Sequence, residues 1–407
     1  MAGEDSVSVI GFGPEAIVRG RIGELEEVRE WLRSRPEAGK GGSLAGGAAI
    51  GMVSYEGEAE FGLYPALLVY HHRTGEWQDP GGLARRLPSR PPVGREFAGL
   101  AQLRAEAEIT REEYLWRVRR ALDYIAAGDI YQVNLAQRFS ADWPAGVSSY
   151  GLYLALREVS PAPYAAFLKF GDREILSSSP EQFLQMSGRD AVTRPIKGTR
   201  PRFADPARDE RSASELVSSA KEIAELVMIT DLERNDLGQV CEFGSIEVTE
   251  LARLERFQQV FHLVSTVRGR LRAEVDHLAA LEACFPGGSI TGAPKRRAME
   301  IIAELENGPR GPYTGAIGYL GANGESQFNI AIRTAVISGG KLAYQVGAGI
   351  VADSDPAAEY EETLHKGRGL RKALNEWEKR QDFFAMGGEA SQVTIPHGTP
   401  APVVRIP

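Results

Sequence analysis

Two pairs of glutamates stand at a spacing that suits metal binding. Glu222 and Glu225 lie three residues apart in one helical segment, and Glu359 and Glu362 repeat the spacing further along the chain. Side chains three apart project from one face of a helix, and Mg²⁺ takes carboxylate oxygens as ligands. The alternative is a pair of solvated helix faces, since such glutamate pairs are common. Spacing alone favours the solvated faces.

The segment RPIKGTRPR, residues 194–202, holds a lysine that could act as a nucleophile. An amine attacks readily when burial or a neighbouring cation lowers its pKa, and Arg194 and Arg200 flank Lys197. Gly198 would let the backbone approach a ligand closely. A basic surface loop is the alternative, and the segment by itself favours it.

Two glycine-rich segments and one arginine could bind an anion. Residues 285–302, FPGGSITGAPKRRAMEII, run into a helix whose N-terminus would present N–H groups. They lack the Gly-Lys-Ser/Thr order of a P-loop, and a plain helix-entry loop is the alternative. Residues 346–351, VGAGIV, would allow a close approach to a carboxylate. Arg333 is predicted to lie on the small-residue face of the strand FNIAIRTAVI, with room for a bidentate carboxylate partner.

Composition limits the class of protein. The chain has 407 residues, of which 43% are hydrophobic and 25% charged, as in ordinary globular proteins. A net charge of −8 argues against broad nucleic-acid binding, and no apolar run of about 18 residues predicts a membrane span. No signal peptide is visible, and Cys241 and Cys284 are too few for a disulfide framework or a zinc cluster. We therefore expect a cytoplasmic enzyme that binds neither nucleic acid nor a membrane.

The pattern of elements predicts an α+β (mixed α/β) fold with antiparallel sheets. A capping box of Thr110 and Glu113 begins a helix that should end at Gly128. Other helices are predicted over residues 210–230, 293–305 and 357–378, and strands over 131–139, 313–320, 328–337 and 342–349. The Pro- and Gly-rich residues 79–94 either separate two lobes or form a surface loop.

Nine segments, taken in chain order, resemble the chorismate-utilising enzyme family. They are YQVNLAQRF, SSSPEQF, RPIKGTRPR, ELVMITDLERNDLGQV, HLVSTVRGRL, FPGGSITGAPKRRAMEII, YTGAIGYLG, FNIAIRTAVI and VGAGIVADSDPAAEYEET. The resemblance implies a Mg²⁺-dependent active site in a cleft between two β-rich layers flanked by helices. It also implies two parts: residues 1–100 as a smaller N-terminal portion, shorter than in the family and without its Leu-Leu-Glu-Ser-like stretch, and residues 101–380 as the chorismate-binding catalytic domain. The composition of residues 381–407, rich in Pro and Gly, predicts a flexible tail.

Two positions separate the reactions within this family. Water-adding members carry a Lys, as the base, where this chain has Gln132, and an amide cannot accept a proton near neutral pH. In the Pro-Ile-x-Gly-Thr motif, anthranilate synthases usually carry Ala and aminodeoxychorismate synthases carry Lys; this chain has Lys197. The resemblance thus implies the reaction of component I of aminodeoxychorismate synthase, in which chorismate and ammonia give 4-amino-4-deoxychorismate for 4-aminobenzoate and folate biosynthesis. The alternatives are component I of anthranilate synthase, with the same fold, and a non-catalytic chorismate-binding protein.

Roles for the remaining residues follow from the resemblance, motif by motif. Glu225 and Glu362 are expected to bind Mg²⁺ directly, with Glu222 and Glu359 acting directly or through water. Lys197 would form a covalent intermediate with the substrate, and Glu181 would protonate the departing C4 hydroxyl. His262 would assist proton transfer, although a satisfied core histidine is the alternative. The expected substrate-binding residues are Thr199, Ser289, Tyr313, Arg333, Gly347 and Gly349.

The expected partner supplies the ammonia. No Cys-His-Glu amidotransferase segment is present in the chain, so the resemblance implies a separate glutamine amidotransferase subunit. A decayed, binding-only protein is disfavoured, because all four glutamates, Lys197, Glu181 and Arg333 are retained together.

Overall fold

The computed structural model describes residues 6–35, 43–86, 103–257 and 259–375. The predicted tail and the second half of the Pro- and Gly-rich connector lie outside these residues. The strands are β1 Val7–Ile10, β2 Ala16–Arg21, β3 Ala48–Val53, β4 Glu58–Tyr64, β5 Leu68–His71, β6 Glu76–Gln78, β7 Glu106–Ala107, β8 Gln132–Asp142, β9 Tyr164–Phe170, β10 Arg173–Ser179, β11 Gln182–Ser187, β12 Asp190–Arg194, β13 Ile196–Pro201, β14 Glu247–Arg256, β15 Val260–Arg270, β16 Gly292–Ala293, β17 Ala316–Gly321, β18 Glu325–Ile330, β19 Thr334–Ser338 and β20 Lys341–Ile350.

Polar caps define where most of the helices begin. The helices are α1 Glu26–Arg33, α2 Arg111–Ala126, α3 Ser149–Val159, α4 Pro206–Val217, α5 Ala220–Gly238, α6 His277–Cys284, α7 Lys295–Leu305 and α8 Pro356–Lys366. The predicted capping of α2 is confirmed, since Thr110 Oγ1 accepts from the Glu113 amide at 3.2 Å. The single helix predicted over 210–230 was wrong: the chain forms α4 and α5 instead. Ser219 ends the continuity because its side chain caps α5 by accepting from the Glu222 amide.

Two large antiparallel sheets carry the predicted α+β architecture. One has the strand order β16-β8-β20-β19-β10-β9, with β7 also paired to β8. The other has the order β13-β15-β12-β11-β18-β17-β3-β4-β2, with β14 also paired to β15. A small third sheet has the order β1-β5-β6. The N-terminal strands β2 to β4 therefore extend the second large sheet, through the pairing of β3 with β17.

The chain crosses twice between the two large sheets at one place. β10 lies in the first sheet and β11 in the second, so residues 180–181 form one crossing. β18 lies in the second sheet and β19 in the first, so residues 331–333 form the other. The sequence had predicted one continuous strand over 328–337, and that prediction was wrong. Arg333, with a φ of 51°, turns the chain between the two strands.

Apolar side chains pack the helices onto the sheets. One cluster joins α1, α5 and α6 to the second large sheet, and its largest buried members include Phe61, Phe183 and Phe328. Another cluster places α3 against the first large sheet. Burying each such phenylalanine contributes about 1.5–3 kcal/mol, so these clusters fix α5 against the strands that carry the candidate site. No helix in the described ranges is long and apolar enough to cross a membrane.

Close backbone packing between β17 and β18 generates a stability prediction. A Cβ on Gly318 would lie 2.0 Å from the Gln327 carbonyl oxygen and 2.6 Å from Phe328 Cδ1. Gly318→Ala should therefore lower the free energy of unfolding by about 1–3 kcal/mol, the usual cost of overpacking. Urea denaturation measures this change in the free energy of unfolding. The control is Gly20→Ala, another strand glycine, whose Cβ would meet nothing nearer than 3.7 Å. Equal midpoints for the two variants would contradict the prediction.

Candidate active site

Lys197 lies on β13, held close to α5 by the glycine that follows it. Gly198 has a φ of +69°, which favours glycine. A Cβ on Gly198 would come within 2.7 Å of Leu216 Cδ1 and 3.2 Å of Glu222 Oε2. Glycine at this position therefore lets β13 pass close to the glutamate-bearing helix α5, where any side chain would clash. This is the close approach predicted for Gly198, but to protein rather than to ligand.

Burial shifts the pKa of the Lys197 amine toward easier loss of its proton. Burial lowers the pKa of Lys197, opposed by the charges of Glu225, Glu181 and Glu362 and assisted by Lys366. The amine also faces the first sheet, since Nζ would lie 3.4 Å from a Cβ on Gly349. Lys197 thus combines a lowered pKa, as an amine nucleophile requires, with a position close to a residue that has no side chain.

Glu181 stands in the first sheet crossing and has the properties of a general acid. Burial raises its pKa to about 7; a hydrogen bond from Ser289 and the charge of Lys197 oppose this, and the charge of Glu233 adds to it. A carboxyl group with this pKa is about half protonated at neutral pH and can donate a proton. The structure therefore brings Glu181, Lys197 and Ser289 together, as the sequence predicted.

His262 is a neutral histidine on β15, directly opposite Thr199 in the sheet register. Burial lowers its pKa to about 4, despite a hydrogen bond with the Gly198 carbonyl. Its Nδ1 lies 3.1 Å from both the Gly198 oxygen and Thr199 Oγ1. Because a carbonyl oxygen only accepts, Nδ1 carries the proton and Nε2 is the acceptor. His262 therefore positions β13 and leaves one basic nitrogen for proton transfer.

Tyr313 lies against Gly347, whereas Arg333 lies near Glu181 and His262. A Cβ on Gly347 would lie 2.9 Å from Tyr313 Oη and 2.5 Å from Asn134 Oδ1, so this strand must be bare here. The sequence predicted that Arg333 lies on the small-residue face of a strand. That prediction was wrong, because Arg333 lies in the second crossing between the sheets. Its positive φ costs about 1–3 kcal/mol, a strain typical of functional positions. Burial lowers the pKa of Arg333, and Glu181 opposes that shift.

The four predicted metal ligands come from two helices near Lys197. Burial raises the pKa of Glu225, and among its electrostatic neighbours are Glu222 and Glu362. Glu362 Oε1 lies 2.7 Å from Lys366 Nζ. Glu359 Oε1 accepts from Ser354 Oγ at 2.6 Å. Carboxylates from α5 and α8 thus face one another across the end of the site.

These carboxylates suit Mg²⁺ in chemistry. The described residues contain no group of three or more Asp, Glu, His or Cys side chains close enough to hold a metal ion. Mg²⁺, however, usually takes only one or two carboxylates and completes its shell with waters and substrate oxygens. Glu225 and Glu362, one from each helix, provide that donor set.

Two amides on β8 complete the site. Gln132 is fully buried, yet neither its Oε1 nor its Nε2 has a hydrogen-bond partner in the described part of the chain, and the same holds for Asn134 Oδ1. Unpaired buried amides are costly, so these atoms are suited to a ligand. Sequence reasoning used Gln132 only to exclude water addition and missed Asn134. The available signal was the alternation of amides with apolar residues at the start of β8, QVNLAQ.

Comparison with known proteins agrees with this geometry. A family model described as chorismate binding enzyme matches residues 2–372. The chain belongs to this family. It is 40% identical over 400 residues to anthranilate synthase component 1 of Methanothermobacter thermautotrophicus, covering 90% of this chain and 85% of that protein. It is 50% identical over 284 residues to anthranilate synthase component 1 of Thermus thermophilus, covering 70% of this chain and only 61% of that protein.

A solved relative confirms the fold. The crystal structure of anthranilate synthase component I from Streptococcus pneumoniae superposes with a TM-score of 0.78 at 31% identity, covering 90% of this chain and 92% of that one. The α+β chorismate-binding fold predicted from the sequence is therefore confirmed. The names of these relatives, however, favour the alternative, anthranilate synthesis, over the synthesis of 4-amino-4-deoxychorismate that Lys197 predicts.

Proposed function

We propose that this chorismate-binding enzyme adds ammonia to chorismate, and that Lys197 directs the amino group to C4, giving 4-amino-4-deoxychorismate. The observation that carries the proposal is the environment of Lys197. Its amine is partly desolvated beside an acid, Glu181, and opposite a bare glycine, Gly349. A lysine kept only for charge would be better placed on the surface.

The proposed route has two substitutions. The uncharged Lys197 amine attacks C2 of the ring, both ring double bonds shift by one position, and the C4–oxygen bond breaks as Glu181 donates the proton that makes water the leaving group. Ammonia then attacks C4, both double bonds shift back, and the C2–nitrogen bond to Lys197 breaks. The extra ammonia proton returns to the Glu181 carboxylate. Chorismate and ammonia thus give the aminated product and water, and the enzyme is regenerated.

The remaining residues would bind and orient the substrate. Arg333 and Tyr313 suit the enolpyruvyl carboxylate, with the backbone N–H groups of Gly347 and Gly349 beside them. Thr199 and Ser289 offer hydroxyl groups, and the Nε2 atom of His262 is an acceptor. Glu225 and Glu362 would hold Mg²⁺, with Glu222 and Glu359 behind them; when bound, the ion neutralises the ring carboxylate.

The second candidate is anthranilate synthesis, in which ammonia adds directly at C2. Its support is the set of curated relatives, which carry the name anthranilate synthase component 1 at 40% and 50% identity. Overall identity reflects the shared fold and chorismate site, whereas regiochemistry depends on the groups near C2 and C4. We therefore weight Lys197 above the names, and product analysis separates the two.

Ammonia supply is the other part of the proposal. The relatives are named as component 1, which implies a second component. For this chain we propose a glutamine amidotransferase subunit that delivers ammonia into the cleft, since little ammonia is unprotonated at neutral pH.

Removing the lysine amine tests the route. Lys197→Ala should lower formation of 4-amino-4-deoxychorismate by about 10³-fold or more, as loss of a nucleophile does. Without ammonia, intact-protein mass spectrometry should show an adduct of chorismate minus one water on the parent and not on the variant. Lys169→Ala, on β9, is the control. Full para-product formation by Lys197→Ala, or anthranilate as the parent's product, would contradict the proposal.

Neutralising a metal-site carboxylate should weaken Mg²⁺ binding. In Glu225→Gln and in Glu362→Gln, calorimetry with chorismate present should show a Mg²⁺ dissociation constant raised about 10-fold or more, because a dication loses one anionic ligand. Glu361→Gln removes the same charge from the adjacent exposed position of α8. If all three variants bind Mg²⁺ like the parent, the metal site lies elsewhere.

Dependence on a partner can be measured with two nitrogen sources. The purified chain should use ammonium salts and be inactive with glutamine. Adding the amidotransferase from the same cell should give glutamine-dependent activity at neutral pH, even if the contact is transient. Glutamine-driven turnover by the single chain would contradict this proposal.

A further inference from the structure

Glu233 is a buried carboxylate that the mechanism above does not use. It lies on α5 with 4% of its surface exposed. Lys295 is its cationic neighbour, and that lysine pairs directly with Asp236, Nζ to Oδ2 at 2.5 Å. Burying a carboxylate is costly unless a charged partner and hydrogen bonds compensate for the lost water. Its contacts therefore indicate what it does.

Each oxygen of Glu233 accepts from a segment of the candidate site. The Gly288 amide donates to Oε1 at 3.0 Å, and the Thr193 hydroxyl donates to Oε2 at 3.1 Å. The Ser289 amide also donates to this carboxylate. Gly288 is needed for the contact, since a Cβ there would lie 2.7 Å from Leu232 Cδ2 and 3.2 Å from Glu233 Oε1. Glu233 thus ties the glycine-rich turn to α5.

Ser289 connects this carboxylate to the acid. Its backbone amide donates to Glu233, and its hydroxyl donates to Glu181. One residue therefore holds two carboxylates in fixed relation, one facing the substrate cleft and one behind it.

We propose that Glu233 is a positioning residue for Glu181: it holds Ser289 against that acid and places a second negative charge behind it. This inference rests on the proposed function in that Glu181 donates the proton in the reaction. It assigns no contact between Glu233 and substrate.

The charges around Glu181 give the proposal a sign. Lys197 and Arg333 face Glu181 as cations, Glu233 faces it as an anion, and Ser289 Oγ and the Ile196 amide donate to it. A neighbouring anion disfavours the charged carboxylate, whereas a donated hydrogen bond favours it. Removing the charge of Glu233 should lower the pKa of Glu181, and removing the Ser289 hydroxyl should raise it.

The experiment compares Glu233→Gln, Ser289→Ala and the parent. The amide oxygen of Gln still accepts from the turn, so this variant removes mainly charge. The rate is measured against pH at saturating, constant free ammonia with Mg²⁺, so that the alkaline limb reports loss of the acid's proton. We expect that limb to move by ~0.5–1 pH unit, downward in Glu233→Gln and upward in Ser289→Ala. In both variants kcat should fall by about 10-fold or more, and in Glu233→Gln the KM for chorismate should stay nearly unchanged. Glu60→Gln, at a buried carboxylate paired with Arg19 and Arg173, is the control and should leave the limb in place.

Two outcomes separate the inference from the function. If the parent aminates chorismate but Glu233→Gln loses only stability and rate, with an unmoved alkaline limb, Glu233 is merely structural and the inference fails. If the parent makes no aminated product, the proposed function fails. The titration of Glu181 is then followed by infrared difference spectroscopy, with Glu181→Gln identifying its band. Opposite shifts in the two variants would still support the inference, and equal titration curves would overturn it.

Discussion

The site depends on hydrogen bonds between two chain crossings. Where the strands leave one large sheet for the other, the Ser178 amide donates to the Arg333 carbonyl and the Ile330 amide donates to the Glu181 carbonyl, both at 3.1 Å. Ser179 Oγ also donates to the Ile330 carbonyl at 2.6 Å. Each crossing therefore satisfies the polar groups of the other, as buried backbone requires. The same bonds fix the backbone from which the side chains of Glu181 and Arg333 extend.

Charge is distributed unevenly around the two crossings between the sheets. Lys197 and Arg333, both partly buried, face Glu181 in the cleft, whereas the carboxylates of α5 and α8 gather at one end with Lys366. Burial raises the pKa of Glu181 to about 7 and lowers the pKa of Lys197. Both shifts favour the neutral form of the group, as a proton donor and an amine nucleophile require.

The sequence predicted the fold class, most elements and the residues that gather at the site. It failed where a local pattern was overridden by an unseen contact. Helical periodicity runs through residues 210–230, but the Ser219 cap divides it. The strand pattern continues through residues 328–337, but the second crossing interrupts the strand. The sequence therefore placed Arg333 wrongly on a strand face. The sequence does not distinguish Glu233 from other helix glutamates. Its contact is with the glycine-rich turn some fifty residues later, and only the folded structure shows that contact.

The pairing of β8 with β20 has a consequence for how the chain acquires its structure. Gln137 faces Val346 across this ladder, although more than 200 residues separate them. Contacts so distant in sequence slow folding, because a long loop must close before the strands can pair. On the ribosome, β8 must wait for nearly the whole described chain to emerge before its central partner exists. The amides of β8 and the glycines of β20 that meet in the cleft are thus among the latest parts of the protein to be joined.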